Sequence, residues 1–216
     1  MNTTDTCDSP IVYVVDDDPS VLAAIADLLA TIGLVARTFS SASELLRAFQ
    51  NIERRPSDRP SCLILDVRMP GIGGLEAQNH ISKINAGVPI IFMTGHGDVA
   101  MTVKAMKAGA HDFLSKPFRD EDLLDAIRSA LVHDRIYRES EKTYRDLSER
   151  YESLTPHERK LLNMVTSGLM NKQIAAEMNL SEITIKVHRG QLMRKMNAST
   201  LVELVKMEER LKKINR

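Results

Sequence analysis

The chain has 216 residues, of which 43% are apolar; this is enough for one or two compact domains and excludes an intrinsically disordered protein. No apolar run approaches the roughly 18 residues of a membrane helix, and the polar, acidic residues 1–10 are unlike a secretion signal. We therefore expect a cytoplasmic protein with no membrane partner. Its two cysteines, Cys7 and Cys62, lack a CxxC neighbour, which argues against a zinc or redox site.

The net charge of zero conceals an asymmetry between the two ends of the chain. Residues 1–150 contain 17 Lys and Arg against 22 Asp and Glu, whereas residues 151–216 contain 12 against 7. An acidic part joined to a basic part suggests separate tasks, and the basic part could contact nucleic acid. A solvated helical surface of similar composition is the alternative explanation.

Strand and helix patterns alternate over the first 125 residues. The continuous apolar run Ile11–Val15 is typical of a strand buried on both faces. Such alternation predicts an α/β domain, a doubly wound five-stranded parallel sheet with helices on both faces. Further strands are predicted near 34–38, 62–65, 88–93 and 113–114, and helices near 20–32, 42–49, 74–84, 98–107 and from 120.

Residues 127–150 are predicted to form a helical linker, since residues 128–154 contain no Gly or Pro. Two interpretations of its apolar positions stay open: a coiled-coil seam, or a solvated helix with a thin apolar stripe. The positions, spaced by three or four residues, are Tyr137, Ser140, Tyr144, Leu147, Tyr151 and Leu154.

Only helices are predicted after the linker. Thr155, Pro156 and Glu158 form a helix start, and helices follow to about 166, at 171–178, at 182–196 and from 199. A short helix, a turn and a basic second helix match the helix-turn-helix arrangement, whose second helix enters the major groove of DNA. A helical bundle for protein contacts is the alternative. The predicted division is a disordered tail at 1–9, an α/β domain at 10–126, the linker at 127–150 and an all-α domain of four helices at 151–213.

Acidic residues follow the strands of the first domain. Asp16 and Asp17 follow the first strand and Asp66 the third, while Thr94 ends the fourth and Lys116 follows the fifth. The carboxyl ends of parallel strands share one edge of a sheet, so these groups are expected to meet there. Carboxylates held close together need a cation, and oxygen ligands suit Mg²⁺. A carboxylate can also act as a nucleophile toward phosphorus.

The segments VVDDDPS, LDVRMPG, MTGHGD and LSKPF resemble, in order and spacing, the signatures of CheY-like receiver domains of two-component response regulators. The resemblance covers about residues 10–130. It implies that Asp66 accepts a phosphoryl group, that Thr94 and Lys116 contact it, and that Thr94 and Phe113 form the switch. It also implies the Mg²⁺ ligands, which are Asp17, Asp66 and the carbonyl of Arg68, with Asp16 acting through water.

Residues 150–213, with LTPHERKLL and GLMNKQIAAEMNLSEITIKVHRGQLMRKM, resemble the LuxR/FixJ-type DNA-binding domain. The resemblance implies that Lys186 and Val187 reach base edges and that basic side chains contact phosphates. Gly190 departs from the longer residue common in that family, which removes a possible base contact. The implied DNA-contacting set is Asn171, Lys172, Thr184, Lys186, Val187, Arg189, Arg194 and Lys195.

Together the two resemblances predict a DNA-binding transcriptional regulator controlled by phosphorylation. A sensor histidine kinase is the expected phosphoryl donor, and phosphorylation is expected to drive homodimerisation, binding to double-stranded promoter DNA and contact with RNA polymerase. The chain is not expected to be an enzyme beyond its own phosphoryl transfer and slow dephosphorylation. A haloacid-dehalogenase-like phosphatase is a rival, because Asp16 and Asp18 form a D-x-D after a strand, but it leaves Asp66 unexplained. A phosphorylation-gated docking module without DNA is the other rival.

Overall fold

A computed structural model describes residues 9–50, 59–83, 87–95 and 99–214 of the chain. The predicted disordered tail lies outside these residues except for Ser9, and so do the last three residues of the MTGHGD segment. The chain divides into two compact units, Met1–Arg138 and Glu139–Arg216. Among the described residues, no helix has both the length and the apolarity needed to cross a bilayer.

The first unit contains a parallel sheet in the order β2-β1-β3-β4-β5, which confirms the predicted fold. Its central strands are fully buried because their side chains are apolar on both faces. The strands are β1 (Ile11–Val15), β2 (Val35–Phe39), β3 (Ser61–Asp66), β4 (Ile90–Thr94) and β5 (Asp112–Ser115). Strands β2 to β5 are shifted or extended by one or two residues from the sequence prediction, which is the usual uncertainty at element ends.

Helices cover both faces of this sheet, and each face has its own core. Tyr13 of β1 packs with one group of apolar side chains, whereas its neighbours Val12 and Val14 pack with the other, because successive side chains in a strand point to opposite faces. The helices are α1 (Pro19–Thr31), α2 (Ala42–Gln50), α3 (Gly74–Lys83), α4 (Val99–Lys107) and α5 (Asp120–Glu152).

The strand order places the acidic residues together. The chain leaves β1 toward β2 on one side and returns to β3 on the other, so the direction of winding reverses between β1 and β3. The loops that follow these two strands diverge and leave a crevice at the carboxyl edge. Asp16 and Asp17 lie on one side of this crevice and Asp66 on the other.

The opposite edge of the sheet holds a buried carboxylate that the sequence analysis did not identify. Asp134 of α5 is fully buried. Its Oδ2 atom accepts two hydrogen bonds, from the backbone N–H of Ser61 at 2.8 Å and from the Arg138 side chain at 2.5 Å. Arg138 also donates to the Ser61 hydroxyl at 3.2 Å. These bonds attach α5 to the start of β3.

The second unit is helical, as predicted. Its core includes Leu147 and Leu154, with Tyr144 and Tyr151 packed against it. The apolar positions at the end of the predicted linker therefore belong to the core of this unit, and this packing replaces both interpretations of residues 144–154. Four helices follow α5: α6 (Pro156–Thr166), α7 (Asn171–Met178), α8 (Glu182–Met196) and α9 (Leu201–Ile214).

Candidate functional site

Three carboxylates meet at the carboxyl edge of the sheet. One oxygen from each of Asp16, Asp17 and Asp66 lies within 4.8 Å of the others. Asp16 and Asp66 are buried, whereas Asp17 is exposed and faces the solvent side of the cluster. Hard carboxylate oxygens at this separation could hold a metal ion.

The Lys116 ammonium lies between the two buried carboxylates. Its Nζ is 2.5 Å from Asp16 Oδ2 and 3.1 Å from Asp66 Oδ1. Strand pairing positions this lysine, because its backbone N–H donates to the Thr94 carbonyl at 2.6 Å and thereby extends the β4–β5 ladder. The prediction that Asp66 lies beside Lys116 is confirmed. The Lys116 contact of Asp16 was not predicted.

Burial and pairing act in opposite directions on these groups. Burial raises the pKa of Asp66 above its ordinary value; Lys116 partly offsets this rise, and the nearby Asp16 charge adds to it. Burial lowers the pKa of Lys116, but its hydrogen bonds and charge interactions with Asp16 and Asp66 outweigh that effect, so the Lys116 pKa is raised. Lys116 therefore stays protonated. Burial opposes the charged form of Asp66, and the interaction with Lys116 offsets only part of this effect.

Thr94 and Phe113 occupy adjacent strands beside this cluster. Thr94 is fully buried at the end of β4, and Phe113 is half-buried against one sheet core, paired with Phe92 in the ladder. The backbone N–H of Arg68 donates to Asp66 Oδ2 at 3.2 Å, so the loop after β3 holds the carboxylate from a second side. The roles that the resemblance implies for Thr94 and Phe113 toward a phosphoryl group, and for Arg68 toward a metal ion, remain predictions.

Gly74, the first residue of α3, is a positioning residue that the sequence analysis missed. A Cβ atom there would lie 2.4 Å from the backbone carbonyl oxygen of Asp66, and the Gly74 N–H donates to the Val67 carbonyl at 3.1 Å. Only glycine allows α3 to begin this close to Asp66. The adjacent glycines Gly73 and Gly74 were the available signal, but the sequence does not reveal the close approach.

In the helical unit, α7 and α8 carry the predicted cations. The side chains of Lys172, Lys186, Val187 and Arg194 are exposed. The turn between the two helices contains Asn179 with φ 55°, a left-handed conformation that asparagine tolerates. Ser181 then caps α8 by accepting a hydrogen bond from the Thr184 N–H at 3.1 Å. These features form a helix-turn-helix with a cationic outer surface.

The four other predicted DNA-contacting residues, Asn171, Thr184, Arg189 and Lys195, have partners within the unit. Arg189 donates to the Asn171 side chain at 2.7 Å, which joins α8 to the start of α7. Lys195 forms a 2.7 Å ion pair with Glu158, whose carboxylate also closes the capping box of α6. The Thr184 hydroxyl bonds with Ser181 at 2.7 Å. Geometry therefore supports a structural role for these side chains, and their predicted DNA contacts remain untested.

Comparisons with known proteins assign each of the two units to a family. Residues 12–128 match the response regulator receiver domain, and residues 152–208 match the bacterial regulatory proteins of the luxR family. The chain belongs to the response regulators. Nodulation protein W of Bradyrhizobium diazoefficiens is 48% identical over 201 residues, covering 93% of this chain and 86% of that protein. Transcriptional regulatory protein FixJ of the same organism is 38% identical, covering 94% and 97%.

The solved structure of the response regulator StyR matches 94% of this chain and 99% of its own, with 44% identity and a TM-score of 0.81. This response regulator therefore combines a receiver domain with a LuxR-type DNA-binding domain and regulates transcription, as the motifs predicted. The phosphatase rival and the docking module without DNA are both set aside, because two family models account for the two units.

Proposed function

We propose that phosphorylation of Asp66 controls DNA binding by this response regulator. The observation that carries the proposal is the cluster itself: a buried carboxylate with a raised pKa, held by Lys116 at 3.1 Å, beside two further carboxylates. A sensor histidine kinase is the proposed donor. Asp17, Asp66 and the carbonyl of Arg68 would hold Mg²⁺, and Asp16 would support it through water.

In the proposed transfer, an Asp66 carboxylate oxygen attacks the phosphorus of the kinase phosphohistidine. The bond between phosphorus and the imidazole nitrogen breaks, and the imidazole leaves with its electron pair. Bound Mg²⁺ supplies positive charge against the phosphoryl oxygens. Lys116, already beside Asp66, pairs with one of those oxygens, and the Thr94 hydroxyl bonds with another. Movement of Thr94 and Phe113 then changes the receiver surface formed by α4, β5 and α5.

The later steps of the proposal follow from the second unit. Phosphorylated receivers pair, so that two helix-turn-helix units bind adjacent half-sites in promoter DNA, and the bound dimer contacts RNA polymerase. We also propose that the protein is cytoplasmic, because the DNA that it binds lies in the cytoplasm. The chain acts only on its own aspartate and loses phosphate slowly, so it is a regulator rather than a turnover enzyme.

Labelling with a radioactive small acyl phosphate tests the receiver site. We expect the wild-type chain to take up about one phosphoryl group per molecule in the presence of Mg²⁺, and Asp66→Asn to take up none. Asp125→Asn is the matched control, because Asp125 is an exposed aspartate on α5 that forms an ion pair with Arg128 at 2.9 Å, away from the carboxylate cluster. Full labelling of Asp66→Asn, or continuous release of phosphate by the wild type, would overturn the proposal.

Binding of the labelled chain to promoter fragments tests the second step. We expect phosphorylation to increase the affinity for a selected duplex, and we expect binding to weaken steeply with salt because cations of α7 and α8 displace counterions from phosphates. Lys186→Ala should reduce discrimination between the selected duplex and random DNA. An unchanged footprint with Lys186→Ala would contradict its role in base recognition.

A further inference from the structure

Helix α8 has apolar side chains on two opposite faces. Ile185, Leu192 and Met196 are fully buried in the core of the helical unit. Ile183 is 78% exposed and Val187 is 55% exposed. A surface helix normally presents polar residues away from its core, so this second apolar face needs a separate explanation.

The two exposed apolar residues belong to one stripe along the helix. Ile183, Val187, Gly190 and Arg194 are spaced by four, three and four residues, which aligns them on one side of an α-helix. Each stands two positions from a buried core residue, about 200° around the helix axis. At Gly190 an added Cβ would meet nothing within 4 Å, so the third position of the stripe is bare.

Three cations and one exposed carboxylate, that of Glu182 at the start of α8, stand beside this stripe. Lys186 stands next to it on α8 and Lys172 lies at the start of α7, and both are exposed, while Arg194 ends the stripe. The major groove of DNA offers the matching arrangement: thymine 5-methyl groups are its apolar feature, and phosphates line its walls. An apolar strip bordered by positive charge is therefore complementary to a groove that contains thymines.

We propose that Ile183 and Val187 recognise thymine methyl groups, so that each half-site places thymines opposite the first two turns of α8. Ile183 is the new specificity-determining residue, since nothing in the family resemblance assigned it. Gly190 contributes no base contact; its bare position allows the backbone of α8 to lie close to the groove. This inference rests on the proposed DNA binding through α8 and names what that surface recognises.

Deoxyuridine substitution provides the test, because deoxyuridine differs from thymidine only by the missing methyl group. Duplexes would first be selected with the full-length chain and a small acyl phosphate. Each thymine would then be replaced singly, and dissociation constants would be measured by fluorescence anisotropy at one salt concentration. We expect at least two positions in each half-site where the replacement weakens binding about fourfold, the effect of losing one buried methyl group.

Variants assign those positions to side chains. With Ile183→Ala, the sensitivity to deoxyuridine should disappear at one thymine and persist at the other, and Val187→Ala should show the converse. Val202→Ala is the control, since Val202 is an exposed valine of α9 in the same unit and should preserve both sensitivities.

The outcomes separate this inference from the proposed function. Sequence-selective binding that tolerates deoxyuridine at every thymine would overturn the inference and leave the proposed function intact. Ile183→Ala with undiminished sensitivity at all positions would overturn the role of Ile183. Failure to bind any duplex selectively would overturn the proposed function and, with it, the inference.

Discussion

At the carboxyl edge of the sheet, Asp16 and Asp66 are buried and share one ammonium group, whereas Lys186 and Arg194 on α8 stand in solvent. Burial strengthens interactions between charges at short range and shifts their pKa values, which suits covalent chemistry on one atom. Exposed charges keep their hydration and act on a partner in a salt-dependent way. The two regions show that one chain uses buried charged side chains for chemistry and exposed charged side chains for the electrostatic attraction of a partner.

If burial is what distinguishes the charges of the receiver from those on α8, then removing a buried carboxylate far from the site should also lower the stability of the receiver. Asp134→Ala removes the acceptor of the Ser61 N–H hydrogen bond and the carboxylate that forms an ion pair with Arg138. We expect the free energy of unfolding of the receiver to fall by about 3 kcal/mol. Hydrogen exchange of β3 and α5 peptides measures this loss.

Asp125→Ala is the control for that experiment, since it removes an exposed i,i+3 pair and should change the stability by less than about 0.5 kcal/mol. Equal effects of the two variants would contradict the contrast between buried and exposed charges.

The second-largest effect is expected at Gly74, where α3 packs closely against the backbone of Asp66. In Gly74→Ala the new Cβ meets the Asp66 carbonyl, so α3 or the loop after β3 must move. We expect a loss of about 1–3 kcal/mol in receiver stability, together with slower labelling of Asp66. Calorimetry and acyl phosphate labelling report the two effects. Wild-type rates and stability in this variant would show that the close approach is unimportant.

Glu158 tests a partly exposed charge pair in the helical unit. The Lys195 hydrogen bond and the Thr155 backbone hold the pKa of Glu158 below its ordinary value of 4.5. The charged form therefore stabilises the folded unit above about pH 4.5, and this contribution is lost as the pH falls through the lowered folded-state pKa. Glu158→Gln should cost about 1 kcal/mol at neutral pH.

The same variant should lose part of the acid dependence of unfolding, which thermal melts of the full chain between pH 3 and pH 7 would measure. An acid dependence identical to that of the wild type would show that the pair with Lys195 does not contribute.

The smallest effect is expected at Gly190, which, unlike Gly74, has space around it for a side chain. Gly190→Ala adds a methyl group that meets nothing within 4 Å, so the gain in helix propensity is not opposed by a clash. We expect the helical unit to become more stable by up to about 1 kcal/mol. Slower hydrogen exchange in α8 would report this gain, and faster exchange would contradict it.

Much of this response regulator follows from local sequence. The apolar run of β1 and the core spacing of α8 depend on periodicity, and the capping box at Thr155 depends on residues three positions apart. Such signals are local, so they predicted the order of elements and the fold of both units. The motif residues Asp66 and Lys116 were also identified, because Asp66 lies at the end of one predicted strand and Lys116 lies just after another.

Tertiary structure decided which groups meet across long stretches of chain. The pairing of Lys116 with Asp16, of Asp134 with Ser61 and of Lys195 with Glu158 joins residues 37 to 100 positions apart, so no local pattern contains it. The close approach at Gly74 likewise depends on how α3 packs against the loop after β3. The physical reason is that these contacts arise only after burial brings distant segments together, and burial then fixes the partners of each charge.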